Sequence, residues 1–165
     1  MVNYRRNYVP GGTYFFTITL QQRGGDLLTR HIDTLREAVR KTKCDKPFDI
    51  HAWVVLPDHL HCVITLPPGD KDYSNRIKSI KIRFVHGIPS LETRSLVNAK
   101  KGERAIWQRR FWEHTIRDEA DFAAHVDYVH INPVKHGLVN RVADWPYSTF
   151  HRLVGHGVYP VDWAG

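Results

Sequence analysis

The chain has 165 residues, 42% hydrophobic and 25% charged, enough for a single domain over residues 1–165 with its own core and too little for two large ones. Lys and Arg outnumber Asp and Glu by 24 to 17, a net charge of +7; this favours polyanionic partners, nucleic acid or anionic membrane, and excludes nothing about fold. The start, Met1-Val2-Asn3-Tyr4-Arg5-Arg6, lacks a signal-like apolar run, no stretch reaches membrane-spanning length, and Cys44 and Cys62 have no metal-ligand spacing, so the expected setting is a reducing cytoplasm, beside the nucleoid.

In chain order, Tyr14–Leu20 follows Gly11-Gly12 and is aromatic and β-branched, the pattern of a strand. Asp33–Lys43 carries Leu35 and Val39 among charges and predicts a helix that Pro47 ends. Phe48–Leu56 and His59–Leu66 predict two strands joined by the turn at Pro57-Asp58. Asp72–His86 predicts a second helix, apolar at Ile77, Ile80 and Phe84 and otherwise basic. Gly87–Arg104 is unpatterned and reads as a loop or insertion. Trp107–Ile116 predicts a fourth strand, and Asp118–Asn132 a third helix, acidic in its first turn and stopped by Pro133. Trp145–Leu153 suggests a short final helix. The order β-α-β-β-α-β implies an α+β, ferredoxin-like split βαβ fold: an antiparallel sheet with two helices on one face and additional C-terminal helices. Many functions share that fold, so function must come from the site.

Two stretches carry chemistry. In His59-Leu60-His61 a strand's period of two puts both imidazoles on one face, a geometry for one divalent metal, while Leu60 points to the core. The alternative is two histidines on a half-buried sheet face. On the third helix, Phe122, Val126 and Val129 form an apolar stripe. Asp121, His125, Tyr128 and Asn132 form the stripe beside it, with Tyr128 and Asn132 one turn apart. The alternative is an amphipathic helix with a half-buried tyrosine. If this helix packs on the histidine face, two imidazoles and an amide oxygen converge with open positions. Such a mixed set suits catalytic Mg²⁺ or Mn²⁺ rather than a closed zinc site.

Several segments resemble the REP-associated tyrosine transposases, a branch of the HUH single-tyrosine transposases. They are Tyr4-Arg5-Arg6 with Gly11–Thr17, Leu56–His61, Trp107–His114, Tyr128–Lys135, Gly137-Leu138-Val139 and Trp145–Ser148. They span nearly the whole chain in the family's order. The chain departs from the family where Leu56-Pro57-Asp58 replaces a frequent Met-Pro-Asn and where His136 replaces a frequent Ala. The resemblance implies His59 and His61 as metal ligands, Asn132 as the third, and Tyr128 as the nucleophile. It implies cleavage and strand transfer on single-stranded, hairpin-forming repetitive palindromic DNA through a 5′-phosphotyrosyl intermediate. It also suggests a self-contained monomer. No general base is named by the sequence; His125, His130 and Asp58 are candidates.

Phosphate contacts are expected from Arg76, Lys78, Lys81 and Arg83 on the second helix and from Arg109 and Arg110 between Trp107 and Trp112, with Arg5 and Arg6 as further candidates. Two rivals remain at this point. One is a non-catalytic single-stranded nucleic-acid binder of RRM-like fold, which shares the element order but needs aromatics where His59 and His61 stand. The other is a metal-dependent hydrolase of small phosphoesters that uses water.

Overall fold

A computed structural model describes residues 5–89 and 106–165. Tyr4 and most of the unpatterned stretch, residues 90–104, lie outside them. The described elements are β1 (Thr13–Thr19), α1 (Leu27–Arg30), α2 (Ile32–Asp45), β2 (Asp49–Val55), β3 (His59–Thr65), α3 (Tyr73–Gly87), β4 (Trp112–Thr115), α4 (Glu119–Lys135), a 3-10 turn (Val142–Asp144) and α5 (Phe150–Gly155).

The four strands form one sheet in the order β2-β3-β1-β4, every neighbour antiparallel. This is the strand order of the split βαβ arrangement. β1 and β3 are central and covered on both faces, which explains why Tyr14–Leu20 is nearly continuous in apolar residues. Tyr14, Phe16 and Ile18 face one side, where they pack with Ile77, Ile80 and Phe84 of α3 and Leu35 of α2. Phe15 and Val63 face the other, beneath Val126 and Val129 of α4 and Phe150 of α5. The expected pair of helices on one face is therefore α2 and α3, and α4 crosses the opposite face over β2 and β3.

Helix ends follow their caps: Asp72 accepts a hydrogen bond from Asn75 N, and Asp118 from Asp121 N. Three expectations need correction. First, α4 does not stop at Asn132. It continues through Pro133, whose ring is buried, to Lys135, and Gly137, at φ +70°, closes it. A proline costs only one N–H here, and in the last turn the amides of His136, Gly137 and Leu138 satisfy the carbonyls of Asn132, Val134 and Pro133. Second, the fourth strand shrinks to Trp112–Thr115. Trp107 is instead buried against Phe84, donates its indole N–H to Lys81 O, and touches the sheet through one bridge to Leu20. Third, the final helix begins only at Phe150. The residues before it lie along the free side of β2: Val54 bridges Ser148, Val55 N donates to Tyr147 O at 2.9 Å, and Thr149 N donates to Trp53 O at 2.9 Å. Among the described residues no helix is long and apolar enough to cross a membrane.

Candidate active site

The turn at Leu56-Pro57-Asp58 closes on itself through Leu56 N to His59 O, 2.8 Å, and starts β3 at His59. Strand alternation then brings His59 and His61 to the face covered by α4, with ring centroids 5.0 Å apart. Both are buried, at 6% and 4% exposure. Each has its Nδ1 held from the side. Asp58 Oδ1 lies 2.8 Å from His59 Nδ1, and Thr17 Oγ1, across the β1–β3 pairing, lies 2.8 Å from His61 Nδ1. The Asp58 contact makes His59 Nδ1 the protonated nitrogen and leaves the Nε2 lone pair available for a ligand bond.

The electrostatics favour neutral imidazoles. Burial lowers the His59 pKa, with Asp58 pulling the other way. Burial, aided by neighbouring His59, His136 and Lys135, takes His61 down to about 3. Burial alone would raise Asp58, but hydrogen bonds from Arg23, the Gly24 amide and His59 outweigh it and hold the carboxyl well below the usual range.

Helix α4 supplies the opposite wall. The Tyr128 ring meets His61 edge to face at 5.4 Å, and Phe15 at 5.7 Å. Two turns on, His136 meets His59 at 5.2 Å. Asn132 lies between them on the same helical stripe. Its side chain is fully buried, yet neither Oδ1 nor Nδ2 has a hydrogen-bond partner, and neither does the buried Nε2 of His61. Buried polar atoms left unpaired are costly and uncommon. Two imidazoles and an amide oxygen are the donor types that a divalent metal takes, and the unpaired atoms here are of those types. Lys135 Nζ stands 5.0 Å over the Tyr128 ring. A cavity of about 590 Å³ opens beside His59 and His136, bordered by Arg23, Gly24 and Leu138.

The sequence-derived candidates divide. His59, His61 and Tyr128 come together, and Asn132 stands one turn beyond Tyr128 on the same helix. His130 does not join them: it is fully buried on the far side of α4, within hydrogen-bond reach of Thr149 Oγ1 and Tyr159 OH. His125 packs on Phe15 and pairs with Asp121. Arg76 is a correction. It is 3% exposed, and its guanidinium donates to Asp70 and to the carbonyls of Lys46, Pro47 and Asp72, so it ties α3 to the chain before β2 and is not offered to a ligand.

Lys81 donates to Gln108 O, and burial takes its pKa down to about 8; Arg83 bonds Thr42 and Asp45. Lys78, Arg109, Arg110 and Arg5 are exposed, and Arg6 lies over the Phe111 ring at 3.8 Å. The basic side of α3 is thus across the sheet from His59 and His61. Sequence reasoning missed Thr17, Lys135 and the contact of His136 with His59. Thr17 had no local signal, because its partner is 44 residues away.

A family model for IS200-like transposases matches residues 9–132. The chain is 53% identical over 165 residues to the REP-associated tyrosine transposase of Escherichia coli K12, covering all of this chain and 92% of that one. A Haemophilus influenzae protein named for the same family is 48% identical over 166 residues, covering all of this chain and 94% of that one. The solved structure of a REP-associated tyrosine transposase bound to a REP hairpin superposes with a TM-score of 0.88 at 53% identity, over 100% of this chain and 92% of that chain. A crystal structure from Deinococcus radiodurans, at 20% identity and a TM-score of 0.51 over 78% of this chain and 95% of that one, shares the fold. The chain belongs to the IS200-like transposase family and is a tyrosine transposase of the REP-associated branch.

Proposed function

We propose that residues 1–165 act as one catalytic unit that cuts and rejoins single-stranded DNA next to a hairpin, with Tyr128 as nucleophile and His59, His61 and Asn132 as ligands of Mg²⁺ or Mn²⁺. The observation that carries this reading is the group of unpaired buried atoms, His61 Nε2 and the Asn132 amide, next to the Tyr128 ring. When bound, the ion would polarise a nonbridging phosphate oxygen and stabilise charge on it. Asp58 and Thr17 hold the two imidazoles in ligand orientation. Tyr128 Oη forms the new O–P bond as the P–O3′ bond breaks; the phenol gives up its proton and the departing 3′ oxygen gains one. The phosphotyrosyl link conserves the bond energy, so a later 3′-OH can reverse the step on new DNA.

The substrate reading rests on the relative solved with a REP hairpin and on the basic balance of this chain. Arg5, Arg6, Arg109 and Arg110 are the proposed phosphate contacts nearest the start of β4. Lys78, Lys81 and Arg83 would contact a hairpin reaching around to α3, while Arg76 is held by Asp70 and the carbonyls of Lys46 and Pro47. The protein would work as a monomer, in the cytoplasm on the nucleoid.

The test is a denaturing gel with a labelled hairpin-bearing single strand. A covalent protein–DNA band that maps to a Tyr128 peptide, absent in Tyr128→Phe and with EDTA, is the expected result. A band mapped to another tyrosine, or cleavage by Tyr128→Phe, would overturn the nucleophile. Cleavage with no band at all would point to water instead.

A further inference from the structure

A second group of ligand-type side chains lies on the α4 face of the sheet, on the other side of Phe15 from His61. His114 comes from β4, in the strand register opposite Phe15. Asp121 and His125 come from the first turns of α4, one turn apart. His114 Nε2 lies 2.8 Å from Asp121 Oδ2, and His125 Nδ1 lies 3.1 Å from Asp121 Oδ1. The two imidazoles stack at 4.4 Å, inclined by 15°. Among the described residues this is the only trio of His, Cys, Asp or Glu whose ligand atoms all fall within 4.8 Å of one another.

We propose that His114, Asp121 and His125 form a second divalent-metal site, for a transition ion of the Zn²⁺ or Co²⁺ class. Two imidazoles and one carboxylate are a donor set of borderline softness, which such ions take up readily. All three residues stand on regular elements rather than on a loop, so the set is preorganised. Their side chains are 27%, 8% and 25% exposed, so the imidazoles have one side toward solvent, where further coordination positions would be open to water or to a phosphate oxygen. The carboxylate is ready as an anion: burial opposes its charge, but hydrogen bonds from His114 and Arg117 take its pKa down to about 2. Arg117 donates its backbone N–H to Asp121 Oδ2 at 3.0 Å, and its exposed side chain approaches the same oxygen at 3.4 Å with Nε, so the side chain can yield while the amide keeps the carboxylate oriented. His125 Nδ1 also approaches Asp121 O at 2.8 Å. Metal binding would replace these N–H···O contacts with N–metal and O–metal bonds, and the imidazole proton held there would pass to the other ring nitrogen. The site does not rest on the assignment of His59 and His61.

The test keeps the two sites separate. The full chain, its His59→Ala/His61→Ala variant, its His114→Gln/His125→Gln variant and the combination are dialysed against Co²⁺. Bound cobalt is counted and its visible absorption recorded, with circular dichroism as a folding check. We expect two bound equivalents in the wild type, one in each double variant with distinct spectra, and none in the combination. Retention of the wild type's full cobalt by a folded His114→Gln/His125→Gln variant overturns the proposal, as does a His59→Ala/His61→Ala variant that is folded and binds none. Should a double variant unfold, Asp121→Asn alone serves: a change in one of the two wild-type spectral components supports the site, and an unchanged spectrum overturns it.

Discussion

At the scale of single residues, the site works by holding imidazoles from behind. Thr17 has no direct part in the chemistry, yet its hydroxyl is the partner seen on His61 Nδ1. Replacing it with Val keeps the β-branched shape and removes that contact. We expect Thr17→Val to lower metal affinity by roughly 10- to 100-fold with little change in melting temperature. Isothermal titration with Mn²⁺ checks this, and an unchanged affinity would remove Thr17 from the site. Periodicity alone brought His59 with His61, and Tyr128 with Asn132, onto common faces, because those pairs are local. Thr17, by contrast, becomes visible only once the β1–β3 register is known. Arg76 misled for a related reason: a cationic side chain looks solvent-facing in sequence, and the carbonyls that absorb it come from Lys46 and Pro47, far along the chain.

At the scale of elements, the strands and the helices α2, α3 and α4 were legible from their hydrophobic periods, most ends to within two residues, whereas the start of β4 and the end of α4 were not. Pro133 marks a boundary by local rules, but tertiary burial of its ring lets one more turn form. That turn brings Lys135 and His136 to the site. The start of β1 shows how tightly a strand end is built. Gly12 follows the turn at Pro10-Gly11, and Tyr14 OH both accepts from Val9 N at 2.6 Å and donates to Val9 O at 2.9 Å. A Cβ at position 12 would stand 2.9 Å from that hydroxyl and 2.9 Å from Val9 O. Gly12→Ala should therefore cost about 1–3 kcal/mol, read as a shifted urea midpoint at constant slope; an unshifted midpoint would show that the turn adapts freely.

At the scale of the whole molecule, the strand order followed from the element order, whereas the placement of α4 across the sheet from α3 needed the structure. That placement puts the proposed nucleophile and the proposed ligands on the two facing walls of one site within one chain. Mixing Tyr128→Phe with His59→Ala/His61→Ala should then restore no cleavage, since neither chain can complete the other. Recovered activity in the mixture would reveal a site shared between two chains. Acid should weaken the fold. Burial lowers the pKa of His130 to about 4 and of His61 to about 3, and lowers His59 and His51 as well. The unfolded chain, with imidazoles near 6.5, takes up protons that the folded chain refuses, so stability is complete above about 6.5 and falls as pH drops toward 4. Melting temperatures from pH 7.5 to 4.5, measured in EDTA, should decline over this window; a flat profile would mean that these histidines accept protons without loss of packing.

The covering of β2 by Tyr147–Thr149 has a bearing on synthesis. A ribosome delivers β2 about ninety residues before the segment that closes its outer edge. During that interval the nascent sheet presents unpaired backbone amides and carbonyls to any neighbouring extended chain, the usual seed of strand-to-strand aggregation. Slow elongation or premature release between Val55 and Tyr147 would lengthen this exposure, so the yield of soluble protein should fall sharply on loss of these late residues.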